Sequence, residues 1–566
     1  MNIFCIDCPY AKQLEALGHK VLAPEFTPGV IYLPSILQMH NFKPDLFIQY
    51  ERLSARTFMG GIDKMPCPTV FVSVDSHLNM FWHKYYAKLF DLLLTPHVSL
   101  FNNLPKEERL PQVRRFGPGG YRQLFKSFDN RRHDLSFVGV LTEHRPARSA
   151  MVQLLAEKSA LYSPDKFLPH EAMLELFADS RMIPNESIAR EVNFRIFEAA
   201  SCGSLVLSQN IGEDQNAHFE PGIEFETYDN ALELVDKIRF YTKNQSAAAD
   251  IGRAAWERVQ SEHLPEHRAA QLAASAQAAR RRAEGAEADI SFWLTLAQMA
   301  RNGTHPLPVQ WFVDNHRHYD KDGLVAGMKL RLLMEGSHQG NPMFSHEFAG
   351  RYKEEAVETL RELLRSGDYA DSLECNLAGA MASLALRHYG WAKAFWKRQT
   401  ASPREQGSAA AYVARENMDG PYGHYMTWAR LLMTMGRDAQ VGFNFRMGLG
   451  ILPGSAFECL VMAQSEAMPE QDSWLMEMHK ICARVPGFAY WDMGLLAEIS
   501  LKYPDRWIHQ LQYGLSSIVN YRIEAGLFEL VESRDKAVKS GEIDYFNTVL
   551  EGAPSSGYIL AALMKG

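Results

Sequence analysis

Cysteine is scarce: seven in 566 residues, odd in number and scattered as Cys5, Cys8, Cys67, Cys202, Cys375, Cys459 and Cys482. That pattern excludes the disulfide framework of a small secreted domain and leads us to expect a cytoplasmic protein. No apolar run reaches the ~18 residues of a membrane span, so none is expected. The start MNIFCIDCPY has no basic segment, so no secretory leader is expected either. An excess of positive charge is also missing. Fifty-nine Lys and Arg stand against 67 Asp and Glu, giving a net charge of −8 and a pI near 6.2. This removes the broad electrostatic motive for binding nucleic acid. What is present is an ordinary globular mixture, 46% hydrophobic and 22% charged, which excludes a mostly disordered or collagen-like chain. At roughly 150 residues per domain the length suggests several, and two or three are expected.

The first part alternates short apolar runs with amphipathic helical runs. NIFCID (2–7), KVLAPEF, PDLFIQYE (44–51), PTVFVSVDS (68–76) and DLLLTP are separated by stretches such as AKQLEALGH, LPSILQMHNF and MFWHKYYAKLF. Buried runs each followed by a helix predict a parallel sheet with right-handed crossovers. The pattern restarts after RRFGPGGYRQLF (114–125) with HDLSFVGV (133–140), a helix over 145–158 and the helical EAMLELFADS. RMIPNES, a helix over 190–203, the strand SLVLSQ (204–209) and a helix within 231–244 follow. The fold class expected is therefore α/β, two Rossmann-like parallel-sheet domains over residues 1–125 and 126–275, facing a cleft. Ligands of such sheets sit beyond the carboxyl ends of the strands.

From 276 to 566 we expect a linker and an all-α domain. An Ala-, Arg- and Glu-rich stretch (252–284) leads into successive amphipathic helices. YMTWARLLMTMGRDAQVGFNFRMGLGILP (425–453) places Tyr425, Trp428 and Ala429 on one helix, Gly436 at a turn, and Phe445, Gly448 and a terminal Pro453 on a second. These offsets match tetratricopeptide spacing. LECNLAGAMASLALRHYGWAKAFWKRQTASP (373–403) matches more loosely, with Gly390 out of place.

The chemistry concentrates in NESIAREVNFRIFEAASCGSLVLSQNIGED (185–214) and FEPGIEFETYDNALELVDKI (219–238). Glu198 lies on a helix ending in Cys202-Gly203 and feeding a buried strand; Ala199, Ala200 and Gly203 let that helix pack tightly. A carboxylate aimed at the cleft can accept two hydroxyl hydrogen bonds from a ribose. Arg195 offers phosphate a planar donor fork.

The pattern N-x-R-x-F-E-A-x-x-C-G, then a strand, a loop and x-P-G-x-E-x-x-x-Y-D, resembles the donor-binding half of GT-B glycosyltransferases, most closely the spore-maturation CgeB-like group. HDLSFVGVLTEHRPARSAMVQLL (133–155) resembles the opening strand and phosphate-side loop of that half, and VSVDSHLNMFWHKYYAKLFDLLLTP (72–96) resembles the acceptor half. The resemblance spans residues 1–275 and implies transfer of a sugar from a nucleotide diphosphate sugar, without a metal or other cofactor. It implies that Glu198 binds the donor ribose while Asn193 and Arg195 line the nucleotide or sugar pocket. Gly139 would let the backbone approach the diphosphate, with Arg145 or Arg148 beside it. Asn185 and Ser187 would add donors at a helix start. Asp75 and His77, ending a predicted strand, are the candidate bases for the acceptor hydroxyl, with Glu51 a competitor. Many members of the fold carry two glutamates eight positions apart; here Arg190 stands eight before Glu198 and Glu191 is one out of register, so neither a sugar contact nor a retaining outcome is inferred. A repeat array suits a protein acceptor, such as a bacterial surface or flagellar one, or a polysaccharide-assembly partner. The alternatives are a catalytically silent scaffold and a nucleotide-sugar isomerase.

Four features are set aside. Cys5-x-x-Cys8 has no second cysteine pair and reads as core packing plus a loop thiol. Asp320-Lys321-Asp322-Gly323 reads as a turn. Gly117-Pro118-Gly119-Gly120 reads as the connection between halves. Arg280-Arg281-Arg282 reads as a solvated helix face.

Overall fold

A computed structural model of the chain describes every residue except 53–55, 103, 105–109, 111, 144, 165–166, 302–308, 316–321, 338–345, 400–419, 436–450 and 565–566. The first half is built on β1 (Asn2–Ile6), β2 (Lys20–Leu22), β3 (Gly29–Tyr32), β4 (Leu46–Tyr50), β5 (Thr57–Gly60), β6 (Thr69–Val72), β7 (Leu92–Thr95) and β8 (Val113–Arg115). Six of these form one sheet in the order β2-β1-β4-β6-β7-β8, parallel throughout, while β3 and β5 pair separately. Alternate side chains fill two layers. Ile3, Cys5, Leu46, Ile48, Val70 and Val72 face one cluster, and Phe4, Ile6, Phe47, Phe71 and Leu93 face the other. Both faces are covered, which is why these strands read as continuous apolar runs.

The second half contains β9 (His133–Ser136), β10 (Leu161–Tyr162), β11 (Ser180–Asn185), β12 (Leu205–Gln209) and β13 (Glu226–Tyr228), ordered β10-β9-β11-β12-β13 and again all parallel. The strand order reverses between β1 and β4 in one sheet and between β9 and β11 in the other. Those two switch points locate the crevices where ligands enter.

Several sequence boundaries shift. The strand expected over 133–140 ends at Ser136, and the helix expected over 190–203 spans only Phe194–Ser201. Arg190 adopts φ 55°, so the backbone turns there and cannot begin a helix. At the other end Gly203 takes φ +69° with the Phe125 ring 2.7 Å from where a Cβ would sit, so glycine is required twice over.

Beyond Ala286 the described elements are helical, from Ala286–Arg301 to Ser556–Leu563. Helix Leu373–Ala385 nests on Tyr389–Gln399, where a Cβ on Gly379 would meet the Phe395 ring at 2.7 Å. Tyr425, Trp428 and Ala429 are buried on Gly420–Met435. Gly436, Phe445 and Gly448 lie outside the described residues. Pro453 lies near the start of the helix Ile451–Glu466, and the second helix of that proposed unit falls outside the described residues.

The three arginines of the linker lie in no helix, and while Arg280 and Arg281 are exposed, Arg282 is buried. The guanidinium of Arg282 is 1% exposed, 2.7 Å from Asp91, and donates to the carbonyls of Cys67 and Met65; the Arg281 N–H also donates to Asp91. The chain between 278 and 285 is thereby strapped across the first half. Helix Ala286–Arg301 then packs Trp293, Leu294 and Ala297 with Met80 and Trp82 of helix Ser76–Tyr86. At the far end Tyr521 Oη lies 2.8 Å from Tyr228 Oη, and Ser555 donates to Asp229 and Glu233, tying the last helices to the second half. Of the other features set aside, Asp320 and Lys321 lie outside the described residues, and Asp322 accepts from the N–H groups of Leu324 and Val325, capping the helix Gly323–Ser337. Among the described residues no helix is long and apolar enough to cross a membrane.

Candidate active site

A cleft of about 1030 Å³ opens at the carboxyl ends of the strands, lined from the second half by Gly139, Arg145, Arg148, Asn193, Arg195 and Glu198, and from the first half by Asp75 and Leu78. Seven of the ten predicted site residues therefore share one space. Volumes of this order accommodate small molecules and cofactors.

Glu198 follows the first turn of the helix Phe194–Ser201. Its carboxylate is 14% exposed, faces the cleft and, among the described residues, pairs with His170 Nε2 at 3.5 Å, itself 45% exposed. Burial raises its pKa, opposed by Arg195 and His170. It is therefore reachable, and an incoming hydroxyl can displace a long contact to an exposed histidine. His170, packed against the Tyr121 ring at 4.6 Å, carries no motif in the sequence and was not anticipated there.

Arg195 is held rigidly. Its guanidinium donates to Val138 O through Nε and Nη2 at 3.3 and 3.1 Å and to Asn185 Oδ1 at 2.9 Å, and lies 4.7 Å over the Phe137 ring. Burial and the nearby Arg148 lower its pKa to about 10. A Cβ on Gly139 would stand 2.7 Å from Arg195 Nη2 and 2.9 Å from Phe137. Glycine at 139 makes room for this arginine.

Arg148 is 3% exposed and fully engaged, donating to Glu186 Oε2 at 3.0 Å with Glu191 Oε1 at 3.9 Å. Arg145 stands just before the helix Pro146–Lys158 and lines the cleft. Of the two, Arg145 is the one positioned to offer charge to a ligand. Asn193 donates to Asn185 Oδ1 at 2.8 Å and to Glu186 O at 3.4 Å.

Two expectations drawn from the sequence need correction. Asn185 and Ser187 do not stand at a helix start. Asn185 ends β11, fully buried, its amide donating to Ser208 and its oxygen accepting from Asn193 and Arg195. Ser187 donates to Glu191 O at 2.9 Å. Both direct their polar atoms into the protein, since the helix begins nine residues after Asn185. They shape the site without presenting donors to it.

On the opposite wall Asp75 closely follows β6 and precedes the helix Ser76–Tyr86. Burial raises its pKa from 3.8 to about 6, with His77 opposing and Glu51 and Glu191 adding repulsion. Glu51, the competing base, is 5% exposed. Its Oε2 accepts from Val74 N at 2.7 Å and Asp75 N at 2.9 Å, and its Oε1 accepts from Asn79 at 2.8 Å and faces His83 at 3.1 Å. Such a carboxylate has no lone pair left for a substrate proton; it fixes the backbone of Asp75. His77 is 2% exposed and its Nε2 lies 2.9 Å from Glu191 Oε2, an ionic approach across the two halves. That carboxylate stands within ionic distance, although neither ring nitrogen of His77 makes a hydrogen bond among the described residues. Of the three candidate bases, Asp75 alone lines the cleft.

Residues 125–274 match the family model described as glycosyl transferase-like. The matched segment is similar to a glycosyl transferase-like domain. Its limits enclose β9 to β13 and every cleft residue named above from the second half. Similar solved structures include sucrose-phosphate synthase from Thermosynechococcus elongatus (12% identity, 48% of this chain, 98% of that one, TM-score 0.35). HepE of Anabaena in complex with UDP-glucose aligns at 12% identity over 49% of this chain and 99% of that one, TM-score 0.32. A putative UDP-N-acetylglucosamine 2-epimerase from Listeria monocytogenes aligns at 12% over 50% and 99%, TM-score 0.27. At such scores the likenesses add nothing to the strand order itself. No curated protein matches the chain.

Proposed function

We propose that this chain is a GT-B glycosyltransferase that moves a sugar from a nucleotide diphosphate sugar to an acceptor hydroxyl. The observation that carries the proposal is the facing pair of walls: Arg145, Arg195 and Glu198 from the glycosyl transferase-like domain, Asp75 from the other half, across one cleft at the strand ends.

In this reading Glu198 accepts hydroxyl hydrogen bonds from the donor ribose, and Asn193 lines the same pocket. Arg145 and Arg195 stabilise the negative charge that grows on the diphosphate as the glycosidic bond breaks. Preorganised charge of this kind works best where it needs no reorganisation, and Arg195 is already fixed by three hydrogen bonds. Asp75 takes the proton of the attacking hydroxyl; a carboxylate with a raised pKa is a better base than an exposed one. Nothing in this sequence of events requires a metal.

The acceptor in this reading is a protein presented by the helical region. A groove of about 700 Å³ supports it, running beside the cleft between the helix Pro146–Lys158 and Tyr490, Tyr521 and Arg522 of the C-terminal helices; Leu141 borders both spaces. Kinship with the CgeB-like group and a cytoplasmic location belong to the same proposal.

Thermal-shift measurements against UDP-, GDP-, CMP- and dTDP-sugars test it, since a ligand that binds only the folded state raises the melting temperature. At least one should stabilise the chain, and Glu198→Ala should abolish that shift. Uniform failure of all four classes to stabilise the unmodified chain overturns the reading in favour of a silent scaffold. A free epimerised sugar as product, with no conjugate, replaces transfer by isomerisation.

A further inference from the structure

Just beyond the carboxyl end of β7 one residue reaches the backbone of the second half directly. His97 is 1% exposed, and its Nε2 accepts the N–H of Val192 at 2.9 Å. The ring proton therefore sits on Nδ1. Its ring is 5.0 Å from that of His77, which in turn meets Glu191. Two residues on, the Ser99 N–H and hydroxyl both donate to Asp214, with Arg115 Nη2 3.6 Å from the same carboxylate. This segment of the first half thus grips the second at residues 191–192 and at Asp214.

The first grip matters for chemistry. Residues 191–193 form the short run between the turn at Arg190 and the helix that carries Arg195 and Glu198. The N–H of Val192 lies outside that helix, and Val192 is 5% exposed, so no helical carbonyl and no bulk water satisfies it. Its partner is supplied by the other half. A buried N–H left without a partner is costly, and removing the His97 acceptor from the closed seam would leave it so. Neither His97 nor its ring atoms line the cleft.

We infer that His97 is a positioning residue, which makes assembly of the Arg195–Glu198 wall conditional on contact between the two halves. It acts through the Val192 amide and touches no substrate. Burial and the neighbouring His77 push its pKa well below the ordinary histidine value, consistent with a neutral ring acting as acceptor. The inference rests on the glycosyltransferase reading for its catalytic consequence, while the grip itself is independent of that reading.

Two variants of the full chain separate packing from hydrogen bonding. His97→Phe keeps a ring in the seam and removes the acceptor; His97→Gln restores an acceptor oxygen at similar reach. Hydrogen exchange of peptides covering residues 188–195 should accelerate about tenfold in His97→Phe and return toward the unmodified rate in His97→Gln. With UDP-glucose as probe, KM for donor hydrolysis should rise about tenfold in His97→Phe with kcat within a factor of about two, and His97→Gln should recover it. Unchanged exchange in His97→Phe overturns the grip. Accelerated exchange with unchanged KM, or a KM that His97→Gln does not recover, overturns the positioning role. If the unmodified chain acts on no nucleotide sugar, the glycosyltransferase reading and the catalytic role fall together, while the exchange result still decides the grip.

Discussion

His77 Nε2 and Glu191 Oε2 approach to 2.9 Å across the boundary between two separate parallel sheets, with side chains 2% and 11% exposed. Burial disfavours the Glu191 charge, yet His77, Arg148 and Arg145 together hold its pKa at about 2, against 4.5 unperturbed. The folded pKa is depressed, so the stabilisation is present above about pH 4.5 and is lost as the pH falls toward 2. Glu191→Gln should therefore destabilise the chain by on the order of 2–4 kcal/mol at pH 7. Urea unfolding at pH 7 and in acid checks this: the gap between variant and unmodified chain should close as the pH falls through that window.

Asp75 shows the opposite sign. Its pKa is raised from 3.8 to about 6 by burial, so its ionised form weakens the fold progressively as pH rises from 3.8 through 6. Asp75→Asn should gain stability on the order of 1–3 kcal/mol above pH 6, with no gain below about pH 4. Turnover should fall by about two orders of magnitude or more. For the unmodified chain the pH–rate profile should rise through a limb near pH 6 that Asp75→Asn lacks. A variant both more stable and nearly inactive is the signature to seek by melting curves and initial rates.

Gly139→Ala places a methyl 2.7 Å from Arg195 Nη2 and against the Phe137 ring. The guanidinium tip gives way more easily than the ring, loosening its bonds to Val138 O. Nucleotide-sugar affinity should drop about tenfold, while unfolding free energy changes by less than about 2 kcal/mol. Isothermal titration alongside urea unfolding separates the two effects.

Arg282→Ala leaves Asp91 buried without its cation, and Asp91 is 0% exposed. A loss of about 3–5 kcal/mol is expected. Limited proteolysis should show cleavage within 278–285 in the variant and protection in the unmodified chain, because the strap is released from the first half.

Much of the architecture is legible in the sequence. Continuous Val-, Ile- and Phe-rich runs announce β1, β4, β6 and β7, because strands covered on both faces tolerate no polar alternation. The short edge strands β8 and β13 are not legible, since each carries polar residues in place of an apolar run. Glu198, Arg195 and Asn193 stand out through their spacing along a single helix and its lead-in. Glu186, His170 and His97 do not, because each gains its role from a partner far away along the chain: Arg148, Glu198 and Val192.

The sequence by itself determined the two parallel sheets and the helical remainder, because periodicity is a local property of the chain, and its resemblance to GT-B glycosyltransferases pointed to the group of residues near the strand ends. Only the tertiary structure decided which of those residues are free to meet a ligand. Glu51, His77, Arg148, Asn185 and Ser187 all have suitable chemistry, and all commit it to neighbours that folding brings within hydrogen-bonding or ionic distance. A buried polar atom must find a partner, and which partner it finds is settled by packing between elements far apart in sequence.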